Sequence, residues 1–451
     1  MITTNELNEQ LALLEIKAPR YTSYPSSLYF QVLHENTHRE WLAEFDNKKS
    51  VALYVHIPFC SQLCWFCGCH TKVSNHYEPI QRYVQTLLQE ITLIKEHASS
   101  RLKLHSIHFG GGSPGILKDR ELESIIQHIS ANFDIQADAE IAIELDPRHL
   151  SRENIDTYQR LNFNRVSMGV QDTNPIVQNA IHRVQPYSQI SKSFEMLRSV
   201  NIHKINIDLI YGLPLQTLSS ITKTFSDMCA LLPSRIAYYS FAHIPNVKRQ
   251  HGLISENDLP NTQLKGHMYL RAVDIARQHN YIPLGIDHFI HPEETSVSQK
   301  KFRRNFMGYT SQENEFVIGI GASAISNLGK GFSQNQPISI EYERKISQGS
   351  LATVRGWLHS IDDLLRKRVI DELMCNFSVD IGNILTEFNY PIDYFDRSLC
   401  LLKNFVDKKI VIIHGRRIDF KSPLRMLVRA VCATFDNYHL SLEENRYLSV
   451  S

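Results

Sequence analysis

Cys60, Cys64 and Cys67 put three thiols into one loop directly after the short apolar run Val51 to Ile57. The thiolate is the form that binds metal, and three thiolates can hold three irons of a four-iron, four-sulfur cube while leaving the fourth iron open to another ligand. The competing reading is a structural zinc knuckle in which Cys69 or His70 closes a tetrahedral site. The segment Met1 to Glu15 is acidic and polar where a signal peptide is basic and then apolar, so a cytosolic, reducing compartment is expected. In that setting, four of the eight cysteines crowded into Cys60 to Cys69 point to metal rather than to disulfides.

Elements must hold this loop in place. From residue 51 onward, short apolar runs alternate with longer amphipathic segments, the signature of repeated strand-helix units. The runs are Val51 to Ile57, His105 to Phe109, Ile141 to Leu145, Arg165 to Val170, Ile205 to Ile210 and Ile236 to Phe241. Glu78 to His97, Asp119 to Asn132 and Ser188 to Asn201 have helical period, and Pro79 suits a first helical turn. Periodicity alone leaves both a doubly wound sheet and a full or partial barrel. The polar residues at the strand ends tip the balance to the barrel: His56, Gly110-Gly111-Gly112, Glu144 with Asp146, Gln171 with Asp172, Asp208, and His243. An active site assembled from many strand ends at one rim needs that distribution.

The expected organisation is an extended N-terminal arm over 1–45, a barrel with its extension over 46–330, and a mainly helical, winged-helix-like unit over 345–451. The extension contains a further helix, the run Tyr281 to Gly285 and a glycine-rich stretch from Gly319 to Ile325. The 48 Lys plus Arg against 47 Asp plus Glu give a net charge of +1, which offers no electrostatic case for nucleic acid or anionic lipid. No apolar run reaches the roughly 18 residues of a membrane span. Small-molecule chemistry is left.

With these residues in view, Cys-x3-Cys-x2-Cys resembles the hallmark of the radical S-adenosylmethionine enzymes, and Gly110-Gly111-Gly112-Ser113-Pro114 resembles their glycine motif. The likeness extends to the oxygen-independent coproporphyrinogen III oxidases. It is carried by Pro19 to Pro25 (PRYTSYP), Tyr54 to Cys60, Cys67-Gly68-Cys69, Asn164 to Asp172, Asn206 to Pro214, Gly285 to Phe289 and Gly321 to Ser326. The resemblance implies an α/β fold, a partial (β/α)6-type radical-SAM barrel. It also implies a [4Fe-4S] cluster on Cys60, Cys64 and Cys67, with Tyr54 and Phe66 beside it. S-adenosylmethionine would rest on Gly111 and Glu144, with Ile325 nearby, and a second molecule on Gly112, Ser113, Gln171, Arg183, Asp208 and Ala242. The implied activity removes hydrogen from two propionates of coproporphyrinogen III by a 5'-deoxyadenosyl radical, giving the vinyl groups of protoporphyrinogen IX. An electron donor such as a flavodoxin or ferredoxin, and a monomeric state, follow from the same likeness.

Tetrapyrrole carboxylates need cations, for which Arg20, Arg303 and Arg304 are candidates, and Cys69 is a candidate on the substrate side. His105, His108 and His128 read as ordinary core or surface residues. The sequence departs from the family pattern at Met307, where glutamine is usual, at His70, where asparagine is usual, and at Ser113, where threonine is common. A haem-binding chaperone on the same scaffold and a diverged tetrapyrrole-acting paralogue are the competing functions. Arg20 to Pro25 and Cys69 speak against the chaperone, and Met307 keeps the paralogue in play.

Overall fold

The structure is a computed structural model that describes residues 3–46, 48–294, 302–310, 316–439 and 450, and every candidate site residue lies among them. The six apolar runs form six parallel strands that neighbour one another in chain order: β1 (Ser50–Ile57), β2 (Lys103–Gly111), β3 (Asp134–Leu145), β4 (Arg165–Gln171), β5 (Lys204–Tyr211) and β6 (Arg235–Ser240). A seventh, β7 (Val317–Ile320), lies parallel to β1 on its other side. This is the glycine-rich stretch that sequence reading left unassigned. Glycine weakens a strand, but here it is required: a Cβ at Gly319 would lie 2.5 Å from the Ile325 carbonyl oxygen.

Antiparallel strands widen the sheet to thirteen, with the hairpin Ile282–Leu284 and His288–Ile290 beyond β6 and four strands beyond β7. Among the described residues the pairing does not close into a ring. Helices cover the outer face because alternate strand residues are apolar. Val51, Leu53, Val55 and Ile57 are buried there, and helix Glu78–His97 lays Ile80, Val84, Leu87, Ile91 and Ile94 on the same core.

The inner face is different. Where packed barrels stack branched aliphatic side chains, this concave face carries His108, Glu140, Glu144, Arg165, Ser167, Asn206, Asp208 and Arg235 around a cavity. Its floor is an ion cluster at the strand starts: Arg165 contacts Glu140 (2.7 Å) and Glu294 (2.6 Å), and Arg235 also pairs with Glu294.

The arm is less extended than expected. Thr3 and Glu6 form a capping box that starts a helix over Thr4–Ala12, whose Leu11 packs on Gly266 of helix Thr262–Gln278. Among the described residues of the arm, only Gln31–Val32 joins the sheet edge as a strand. Toward the C-terminus, helix Ile361–Asn376 is followed by a three-stranded antiparallel sheet of Ser378–Asp380, Arg417–Phe420 and Val411–His414, with Gly415 at φ +60 in the hairpin turn. Helix Ile381–Glu387 lies between the first and last of these in sequence. Arg429 ties the two chain ends together: Nε donates to Pro19 O (2.9 Å) and Nη1 to Val450 O (3.3 Å), while Nη2 donates to Ala18 O.

Candidate active site

The cysteine loop is pinned from outside its own sequence. Trp65 N donates to Ile181 O (3.0 Å), Gln250 Nε2 to Cys67 O (2.6 Å) and Lys248 Nζ to Cys69 O (2.9 Å). Arg183 and Arg148 aim guanidinium nitrogens at Cys64 Sγ (3.4 and 3.7 Å), and both also bind Asp146. Burial disfavours the Asp146 charge, but Arg148 and Arg183 hold its carboxyl down to about 2. Burial pushes the Cys60 thiol up to about 11 against a contact with Thr71 Oγ1 (3.1 Å). A side-chain hydrogen bond with Cys69 lowers the Cys67 thiol to about 6 and raises that of Cys69.

The glycines beside the loop leave room that side chains would fill. A Cβ on Gly111, at φ +115, would lie 2.6 Å from the His56 ring, and one on Gly112 would lie 2.6 Å from Phe59 O and Thr71 Oγ1. Burial holds His56 neutral, lowered to about 4, so Nε2–H donates to His70 O (3.0 Å) and Nδ1 accepts from Tyr54 Oη (3.0 Å). Glu144 is ionised despite burial because His108 Nε2 (3.1 Å) and the Gly111 N–H (3.1 Å) bind its two oxygens. Asp208 goes the other way. Burial and the neighbouring Glu144 charge push it up to about 6, although Ser167 and Asn206 each donate to it at 3.1 Å.

Three cavities of about 160, 370 and 600 Å3 meet at Cys69 and Glu144, which line all of them. The smallest gathers most of the expected site: Cys60, Cys64, Phe66, Cys67, Gly111, Gly112, Ser113, Gln171, Arg183 and Asp208. Tyr54, Arg20 and Ala242 lie instead on the largest cavity, with Arg304. Ile325 and Arg303 line none of the three.

Two expectations need correction. Asp172 is turned away from the rim, binding Asn174 N (2.6 Å), Gln216 Nε2 (2.6 Å) and Thr224 Oγ1 (2.9 Å). His108, read as ordinary, holds Glu144 at the meeting point, and His105 lines the middle cavity. Asp287 and Lys265 on the largest cavity were missed as well; only Asp287 stood inside a motif already singled out.

The comparisons agree with this geometry. Residues 54–228 match the Radical SAM superfamily. The chain is 36% identical to the oxygen-independent coproporphyrinogen III oxidase of Bradyrhizobium diazoefficiens, covering 94% of this chain and 95% of that one. It is 34% identical to the enzyme of that name in Escherichia coli K12, over 97% of each. The chain belongs to the oxygen-independent coproporphyrinogen III oxidase family. The solved structure of the E. coli coproporphyrinogen III oxidase, a radical SAM enzyme, superposes with a TM-score of 0.88 at 33% identity, covering 94% of this chain and all of that one.

Family members of this kind use a [4Fe-4S] cluster and S-adenosylmethionine, and the residues present fit both. Three thiols on one loop face the smallest cavity, where Gln171 Oε1 and Arg183 Nε are buried without partners and glycine backbone leaves open space. His70 is not free to close a zinc knuckle through Nε2, which binds Pro337 O (2.6 Å). Nor does any described helix have the length and apolarity to cross a membrane.

Proposed function

We propose that this chain converts two propionates of coproporphyrinogen III to vinyl groups without oxygen, giving protoporphyrinogen IX. Each propionate gives up a hydrogen atom, carbon dioxide and one electron, the last passing to an acceptor. The observation that carries the reading is the meeting of a cysteine-lined cavity and a cation-lined one at Cys69 and Glu144.

When bound, the cluster and S-adenosylmethionine supply reductive one-electron cleavage and a hydrogen-abstracting radical. Cys60, Cys64 and Cys67 would hold the cluster, with Arg148 and Arg183 offsetting negative charge on Cys64. Glu144, kept ionised by His108 and the Gly111 N–H, is suited to an ammonium or to ribose hydroxyls. Gly112, Ser113, Gln171, Arg183 and Asp208 surround further space for the cofactor or a second copy of it. Arg20 and Arg304 would receive propionates in the largest cavity. Enclosure of that cavity by the arm and the segment around Met426 and Arg429 would keep water from the reacting carbon.

The same reading has the protein working in the cytoplasm as a monomer, without nucleic acid or membrane, and supplied with electrons by a flavodoxin or ferredoxin. It divides the chain into the arm over 1–45, the barrel with its extension over 46–330 and the C-terminal unit over 345–451. The near-neutral charge and the absence of a long apolar run support it. The test is anaerobic incubation of the iron- and sulfide-reconstituted protein with reductant, S-adenosylmethionine and coproporphyrinogen III. Both 5'-deoxyadenosine and vinyl product are expected; deoxyadenosine without vinyl product would leave the cofactor reading standing and remove the substrate.

A further inference from the structure

The largest cavity sets a carboxylate among its cations. Arg20, Lys265 and Arg304 line it and suit a ligand rich in carboxylates, yet Asp287 lies in the same wall. Asp287 is fixed there by backbone. Tyr238 N donates to its carbonyl (2.7 Å), next to Gly285 at φ +55, whose missing Cβ admits the Tyr309 hydroxyl. Oδ1 is 2.7 Å from His288 Nδ1 and Oδ2 accepts from Arg304 Nη2 (2.9 Å). Burial opposes ionisation, but Arg304 and His288 hold the carboxyl down to about 2.

A carboxylate has about four acceptor positions, and two are taken, so about two are left for a ligand in the cavity that Asp287 lines. Another carboxylate would be repelled there. An N–H donor would be drawn in. Coproporphyrinogen carries its carboxylates on the rim of the macrocycle and four pyrrole N–H donors at the centre, so an acceptor flanked by cations complements it radially. Arg304 supports this division of labour, because Nε and Nη1 are buried without partners and remain available to a propionate. The oxidised porphyrin offers only two N–H groups, held in the ring plane beside two bare nitrogen lone pairs, and these would face the carboxylate unfavourably.

We propose that Asp287 accepts hydrogen bonds from the pyrrole N–H groups at the centre of the macrocycle and thereby selects the reduced porphyrinogen over the oxidised porphyrin. The inference rests on the tetrapyrrole reading of this cavity. It is tested by anaerobic binding titrations of the reconstituted protein, without S-adenosylmethionine or reductant, using coproporphyrinogen III and coproporphyrin III separately.

The wild-type protein should bind the porphyrinogen at least tenfold more tightly. Asp287→Asn should weaken porphyrinogen binding by about tenfold and leave porphyrin binding equal or tighter, because Arg304 is then freed for propionates. Asp287→Glu should retain the preference. Equal affinities in the wild type, which need no variant, would overturn the proposal, as would an Asn variant in which both affinities change by one common factor. A wild-type protein that binds neither macrocycle would instead sink the substrate reading itself.

Discussion

Gly111 shows how little space separates a working site from a blocked one. Its positive φ and the His56 ring 2.6 Å from any added Cβ make Gly111→Ala strained in two ways. We expect the variant to lose about 1–3 kcal/mol of stability and most S-adenosylmethionine binding, read by thermal unfolding and equilibrium titration. Met307 is a residue of another kind, a thioether lining the two larger cavities at a position where the family resemblance implies glutamine. Sulfur accepts only weakly and donates nothing, so Met307→Gln should raise the steady-state rate; an unchanged rate would make the departure neutral. The cysteine spacing and the glycine run could be read directly from the chain. His108 could not, since a histidine in an apolar run looks the same whether it faces core or cavity.

At the scale of elements, the joint between β7 and helix Glu78–His97 carries a buried carboxyl. Glu90 accepts from Tyr342 Oη (2.6 Å), Asn335 Nδ2 (2.6 Å) and Gly321 N (2.7 Å). Next to it Tyr83 Oη donates to His56 O (2.8 Å) and accepts from Ala322 N (2.8 Å), which couples the joint to the strand under the cysteine loop. Burial raises Glu90 from 4.5 to about 7, against the three donors. A carboxyl raised on folding makes the folded state the better proton binder. Its contribution is therefore full below 4.5 and is lost as pH rises through about 7. The whole effect is about 3 kcal/mol. Glu90→Gln should flatten this part of the Tm-against-pH curve, and a wild-type curve that rises across the same window would contradict the account.

Across the whole molecule, the largest cavity exists because distant segments close on one another. The arm supplies Arg20 and Thr22, the barrel Tyr54 and Glu144, the hairpin after it Arg304 and Met307, and the C-terminal region Met426 and Arg429. Arg429 binds three backbone carbonyls, and burial together with Arg20 and Arg304 lowers its guanidinium to about 9. Arg429→Leu would leave those carbonyls unpaired. We expect a loss of about 2–3 kcal/mol and faster proteolysis of the arm, measured by denaturant unfolding and limited digestion.

Local chemistry determined what could be read without coordinates. Short apolar runs followed by amphipathic segments gave six strands, thiol spacing singled out the cysteine loop, and Gly110 to Gly112 marked a rim, because each signal lies within a few consecutive residues. Tertiary structure decided the rest. Strand identity for Val317–Ile320 depends on its parallel pairing with Ser50–Ile57, and the docking of helix Thr4–Ala12 on a small residue, Gly266, that receives Leu11. The pairing of Asp287 with Arg304 joins residues on two different hairpins. Such contacts form between segments far apart in the chain, so their energies are fixed by packing and by the low dielectric it creates, neither of which any single stretch of sequence encodes.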